Sequence, residues 1–183
     1  MKKFLFFLVF IFSCNPDETY FETTPYTILT PDGFPEMYIP EDNLLTQEGV
    51  SLGKKLFFDP ILSSNNSISC ASCHIQENSF SDPNQFSVGV NGDLGFRNAF
   101  SLVNIGWNTS FNWDGSSSSL ENQVFEPVTN PIEMANNWEQ VEADLNASSE
   151  YRDLFKQAFN IDCIDSIYIA KAIAQFERTL ISS

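Results

Sequence analysis

Histidine occurs only once in these 183 residues, and basic side chains are scarce, nine Lys and Arg against 24 Asp and Glu. The net charge of −15 repels phosphate backbones and so excludes nucleic acid as a partner; such a field favours a basic protein surface instead. A single imidazole, His74, limits every metal or proton-transfer scheme the chain can support. Runs of alternating apolar and polar residues are weak everywhere, there is no internal repeat, and the only low-complexity tract is Ser116 to Ser119. What is present is apolar mass. Hydrophobic residues make up 43% and aromatics 14%, with 18 Phe, which excludes a disordered acidic tail and suffices for the core of one domain.

Lys2 and Lys3 precede the apolar run from Phe4 to Phe12 and then Ser13-Cys14, the layout of a secretory signal over residues 1–13. That run is too short for a permanent membrane-crossing helix. Ile11-Phe12-Ser13-Cys14 also resembles a bacterial lipobox, which predicts an exported, periplasmic protein with Cys14 lipidated as its mature N-terminus and anchoring it to a membrane. Loss of Lys2 and Lys3 takes the net charge from −15 to −17. Pro16, Pro25, Pro31, Pro35 and Pro40 prevent a long regular element, so residues 14–40 read as an extended tether and the folded domain as 41–183.

Val50, Leu52, Leu56 and Phe57 predict a helix over residues 46–58, capped by Thr46 and stopped by Pro60. Ser69 can cap a short helix from Cys70 to Gln76. Residues 78–115 are rich in Gly, Asn, Pro and Asp and predict a long irregular stretch, of the kind that wraps a cofactor. Helices follow at 118–125, ending before Pro127, then at 138–146 and 150–159 as an interrupted hairpin, and at 165–180. The last sets Ile169, Ile173, Phe176 and Leu180 on one face. The fold class is mostly α.

The chemistry concentrates at Cys70-Ala71-Ser72-Cys73-His74. C-x-x-C-H is the attachment sequence of c-type haem: two thiols on one helical turn reach the two vinyl groups, and the next residue turns its imidazole to the iron. Two other readings compete. A redox-active Cys70-Cys73 disulfide would come with a βαβ pattern, which is missing. A zinc site could use Cys70, Cys73, His74 and Cys163, although adjacent Cys73 and His74 suit a tetrahedral site poorly. With haem bound, Cys163 is left over, a thiol expected to be buried beside Ile161 and Ile164.

Several further segments stand in a fixed order. They are Leu52-Gly53-Lys54-Lys55-Leu56-Phe57-Phe58-Asp59-Pro60, Arg97-Asn98-Ala99 with Ser101-Leu102, Phe111-Asn112-Trp113-Asp114-Gly115, Asn130-Pro131-Ile132-Glu133-Met134, and Ala172-Ile173-Ala174-Gln175-Phe176-Glu177-Arg178-Thr179-Leu180. With the haem motif they resemble the N-terminal, peroxidatic domain of bacterial di-haem cytochrome c peroxidases, a family that includes the methylamine-utilisation di-haem enzyme. The resemblance implies a c-type cytochrome-like helical domain whose long loops wrap one covalent haem c. It implies Cys70 and Cys73 as haem attachments and His74 as the iron's ligand. Glu133 matches the distal acid, and Gln123 and Pro127 match its neighbours lining that side. Trp113 matches the tryptophan between two haems, and Asn98 matches a ligand of a calcium ion at a domain interface. Without the resemblance, Glu133 reads as a helix-terminal acid, Trp113 as a core aromatic and Gln123 as a surface amide. The implied reaction is reduction of hydrogen peroxide with electrons from a small cytochrome or copper protein.

Two departures stand out. Val90, within Ser87 to Gly92, occupies the place of a distal histidine found in several members, so the iron is expected to be open on that side. The second C-x-x-C-H domain does not follow before Ser183, which points to a fragment, or to a second haem domain or second copy supplied separately. The alternative function is a non-enzymatic electron carrier, in which Met134 or Met37 ligates the iron opposite His74. A third reading, oxidation of a protein or organic substrate by long-range hole transfer, uses the same site.

Overall fold

The computed structural model describes residues 20–182, which form a helical body with no strand among them. The expected leader and Cys14, the expected lipidation site, lie outside the described residues.

Helix α1 spans Gln47–Phe58. The Thr46 hydroxyl accepts from the Gly49 amide at 2.9 Å, and Asp59 caps the far end. Its buried residues are Gly49, Leu52, Gly53, Leu56 and Phe57, a continuous stripe at helical spacing. Pro60 opens a short 3-10 turn, Pro60–Leu62. Helix α2 is a single turn, Cys70–Cys73, shorter than the spacing predicts, and a 3-10 turn Gln76–Asn78 follows. Residues 79–119 are irregular apart from the 3-10 turn Ile105–Trp107, as the turn-forming composition predicts. Side-chain bonds replace regular structure there. Ser81 Oγ donates to Ala99 O at 2.6 Å, Ser101 Oγ to Ser79 O at 2.6 Å, and Asn98 Nδ2 to the carbonyls of Asp82 and Asn84.

The predicted helix at 118–125 is broken at Val124 into α3, Leu120–Gln123, and α4, Phe125–Thr129. Pro127 does not end it. It sits in the first turn of α4, where a missing N–H removes no intrahelical bond. Helices α5, Trp138–Ala147, and α6, Ser149–Phe159, form the predicted hairpin around Ser148. Helix α7, Ser166–Glu177, is capped by Asp165, which accepts from the Tyr168 amide at 3.0 Å.

Helix α7 is buried almost all round because α1 and α3 pack against it. At the α1–α7 crossing a Cβ on Gly53 would lie 1.8 Å from Ala172 O, so only glycine permits this approach. Phe57 meets Phe176 there, ring centroids 5.2 Å apart. Arg178, just past α7, is buried and holds Glu121 of α3 through two bonds of 2.7 and 3.2 Å.

The stretch from 20 to 40 is extended, as its prolines require, but it is tied to the body rather than hanging free. The Tyr26 amide donates to Leu45 O, the Gln47 amide to Thr24 O, and Trp107 Nε1 to Pro35 O at 2.8 Å. Met37 lies against Gly106, beside Arg178. The expectation of a buried thiol at Cys163 also fails. Its neighbour Ile164 takes the interior position, while Cys163 is exposed.

Candidate functional site

Helix α2 begins where Ser69, itself buried, donates its amide to Ser72 Oγ at 3.0 Å. This fixes one helical turn with both motif thiols on it. The His74 amide closes the turn on Cys70 O at 2.9 Å. His74 Nδ1 lies 2.9 Å from Phe80 O, the position for its N–H to donate, which leaves the Nε2 lone pair for a metal. Phe57 and Phe100 flank the ring. Burial holds the His74 pKa below the usual imidazole value, so the ring is neutral at pH 7. Burial also pushes the Cys70 thiol up to about 12 and raises that of Cys73; both thiols are free.

These groups line one wall of a cavity of about 410 Å³. The same cavity is lined by Gln123, Pro127 and Glu133, and by Asn98 and Trp113. Eight residues singled out from sequence are thus brought to one enclosure. Cys163 is not among them, and no cluster of three His, Cys, Asp or Glu able to hold a metal ion occurs among the described residues, so the proposed zinc set is not assembled.

Glu133 follows the turn after α4. Asn130 Nδ2 donates to its Oε1 at 2.9 Å, and its carbonyl accepts from the Val90 amide at 2.8 Å. The loop that lacks a histidine is thus docked on the acid's own backbone, and Gly89 permits it, since a Cβ there would lie 2.0 Å from Ile132 O. Burial raises the Glu133 pKa first and the Glu126 charge second, while Asn130 opposes both. Gln123 is half-buried, its Nε2 3.5 Å from Asn112 Oδ1. Trp113 is no core aromatic: 61% exposed, it stands at the rim and donates Nε1 to Asn98 O at 2.7 Å. The Asn98 Nδ2 is occupied by two carbonyls, and its Oδ1 receives only a 3.4 Å bond from Ser81 Oγ. Met134 lines the cavity but is 4% exposed within the hydrophobic core, and Met37 lies outside the lining.

Residue-by-residue reading missed Asn130, which orients Glu133, and Glu177, a buried carboxyl on the cavity wall. A signal existed for both. Asn130 is three residues before the acid, and Glu177 continues the Ile169, Ile173, Phe176 face.

A family model described as di-haem cytochrome c peroxidase matches residues 47–183. This chain belongs to the di-haem cytochrome c peroxidase family. It is 41% identical over 144 residues to the methylamine utilization protein MauG of Methylorubrum extorquens, covering 78% of this chain and 41% of that protein. It is 40% identical over 131 residues to cytochrome c551 peroxidase of Nitrosomonas europaea, covering 72% of this chain and 39% of that one. The crystal structure of a MauG-like protein associated with microbial copper homeostasis superposes with a TM-score of 0.80 at 33% identity, over 86% of this chain and 47% of that one. The chain therefore spans less than half the length of these relatives, and its mostly helical fold is similar to that of the MauG-like structure.

The residues present fit a c-type haem. Two thiols lie on one turn, a neutral imidazole has its Nε2 unused, and the cavity falls in the usual range for cofactor sites, roughly 300–1,000 Å³. Oε2 of Glu177, on the cavity wall, is buried without a partner.

Proposed function

We propose that this chain carries one haem c on Cys70 and Cys73, with His74 as the iron's ligand, and reduces hydrogen peroxide to water in this cavity. The observation that carries the reading is that one enclosure brings together the haem motif and Glu133, an acid whose pKa burial raises. The bound haem would supply the iron at which electrons reach the peroxide.

The remaining work falls to the chain's own side chains. His74 keeps its tautomer through Phe80 O, so its orientation needs no rearrangement. Glu133 takes a proton from the attacking peroxide oxygen and returns it to the departing one, and a pKa raised toward the working pH suits both transfers. Asn130 holds the carboxylate in one orientation. Gln123 offers an amide to the peroxide, while Pro127 contributes an apolar wall that limits water. Trp113 at the exposed rim passes electrons between the cavity and a partner. Asn98 Oδ1 contributes one oxygen to a calcium site completed by other groups, as suits that hard cation.

The electrons come from a small cytochrome or copper protein, received through a second haem domain or a second copy of the chain. Export through the 1–13 signal and lipidation at Cys14 would hold the protein at the periplasmic face of a membrane. No helix among the described residues is long and apolar enough to cross one.

The test is to produce the chain with haem attached and mix it with hydrogen peroxide in a stopped-flow spectrometer. A rapid change of the haem band supports the reading. An unresponsive low-spin spectrum with a sulfur-to-iron charge-transfer band would instead establish a methionine ligand, Met134 or Met37, and the chain as a carrier.

A further inference from the structure

Glu177 is 4% exposed at the C-terminal end of α7, lines the haem cavity, and has an Oε2 with no hydrogen-bond partner. An unpartnered buried carboxylate is costly, so the group is held as the neutral acid. The nearby cation does not change this. Arg178 is committed to Glu121 by two bonds, and Glu121 adds negative charge on the α3 side. From α2 the facing titratable group is Cys70, which thioether formation would remove from titration. The buried residues of α1 against α7 are Gly49, Leu52, Gly53, Leu56 and Phe57, none of them titratable. A carboxyl so placed has one strong electrostatic variable beside it, the charge held in the cavity.

We infer that Glu177 is a redox-linked proton site: it holds its proton while the cavity's cofactor keeps its electron, and releases it when that electron leaves. The inference rests on the proposed haem occupancy. In balance, one electron passes to a one-electron acceptor, one proton passes from the Glu177 carboxyl to water, and the carboxylate left behind offsets the positive charge gained in the cavity. The coupling makes reduction harder as pH rises, because the anion favours the oxidised state. Burial moves the Glu177 pKa up to about 8, which places the effect in the neutral to alkaline range.

The test is potentiometric titration of the haem-loaded full chain between pH 6 and pH 9, wild type beside Glu177→Gln, with infrared redox-difference spectra of both. Glutamine reproduces the shape and neutrality of the protonated acid, so the variant retains the packing. In the wild type the midpoint potential is expected to fall with pH at up to about 59 mV per tenfold change in proton concentration. A carboxylic C=O band should disappear on oxidation. Glu177→Gln should flatten that slope and lack the band. Equal slopes and equal bands in both proteins would overturn the inference. If the wild type still holds haem and responds to peroxide, that failure leaves the peroxidase reading standing. A chain that attaches no haem would overturn both.

Discussion

Replacing Gly53 by alanine tests the framework that holds the cavity wall. The added Cβ would lie 1.8 Å from Ala172 O, 2.6 Å from Ala172 C and 3.0 Å from Phe176 Cβ. Two of these are backbone atoms of α7, which cannot rotate aside as a side chain would. Helices α1 and α7 must therefore part by more than an ångström, loosening the buried Leu52, Leu56 and Phe57 against Ile173 and Phe176. Overpacking of this kind costs about 1–3 kcal/mol or somewhat more, and the better helix propensity of alanine returns only about 1. Because the clash is with backbone, the cost lies near the top of that range and a net loss of about 2 kcal/mol is expected, a sizeable share of the roughly 5–15 kcal/mol available to a domain. Urea unfolding followed by circular dichroism measures it, with Gly95→Ala as the control, since no atom lies closer than 3.7 Å to a Cβ there. The control should stay within about 1 kcal/mol of the wild type. A Gly53→Ala protein as stable as the wild type would refute the backbone-to-backbone crossing.

Other outcomes follow from the same packing. Arg178→Met leaves Glu121 without its buried partner and should cost about 3–5 kcal/mol in urea unfolding, with partial recovery when Glu121→Gln is added. Glu177 has a folded pKa raised to about 8, so its stabilising contribution is complete below the unfolded value near 4.5 and declines as pH rises to about 8. The stability of Glu177→Gln relative to wild type should therefore grow over that window, by on the order of 4 kcal/mol in paired unfolding curves at several pH values. Asn130→Ala removes a bond that favours the charged form of Glu133, so the acid limb of the peroxide pH–rate profile should move to higher pH.

Much of this was legible because the signals were local. Thr46 and Asp165 mark the starts of α1 and α7, and the apolar spacing within each gives the buried face. The thiols and imidazole of C-x-x-C-H sit on one turn because their spacing demands it. What local signals could not supply was tertiary. The prolines before residue 41 do exclude helix, but docking depends on distant partners such as Leu45 and Trp107. Pro127 reads as a stop only until the break at Val124 makes it first-turn. Cys163 between two isoleucines reads as core, yet only Ile164 turns inward. Trp113 is aromatic enough for any core but sits at a rim, because its indole N–H is drawn to the Asn98 carbonyl. Only the family resemblance groups Glu133, Gln123 and Trp113 as a set; spacing alone gives no reason to gather residues from 70 to 133 around one cavity.

If Glu133 moves the proton in a peroxide-reducing haem cavity, stopped-flow reaction of haem-loaded wild type and Glu133→Gln with hydrogen peroxide will separate the two proteins. Glutamine keeps the size and can still pair with Asn130, but cannot take up a proton at neutral pH. A fast haem-band change in the wild type, slowed about 10²–10⁴-fold in the variant with haem attachment unchanged, is the predicted result. Equal rates in the two proteins would exclude Glu133 from proton transfer, leaving it a buried structural acid.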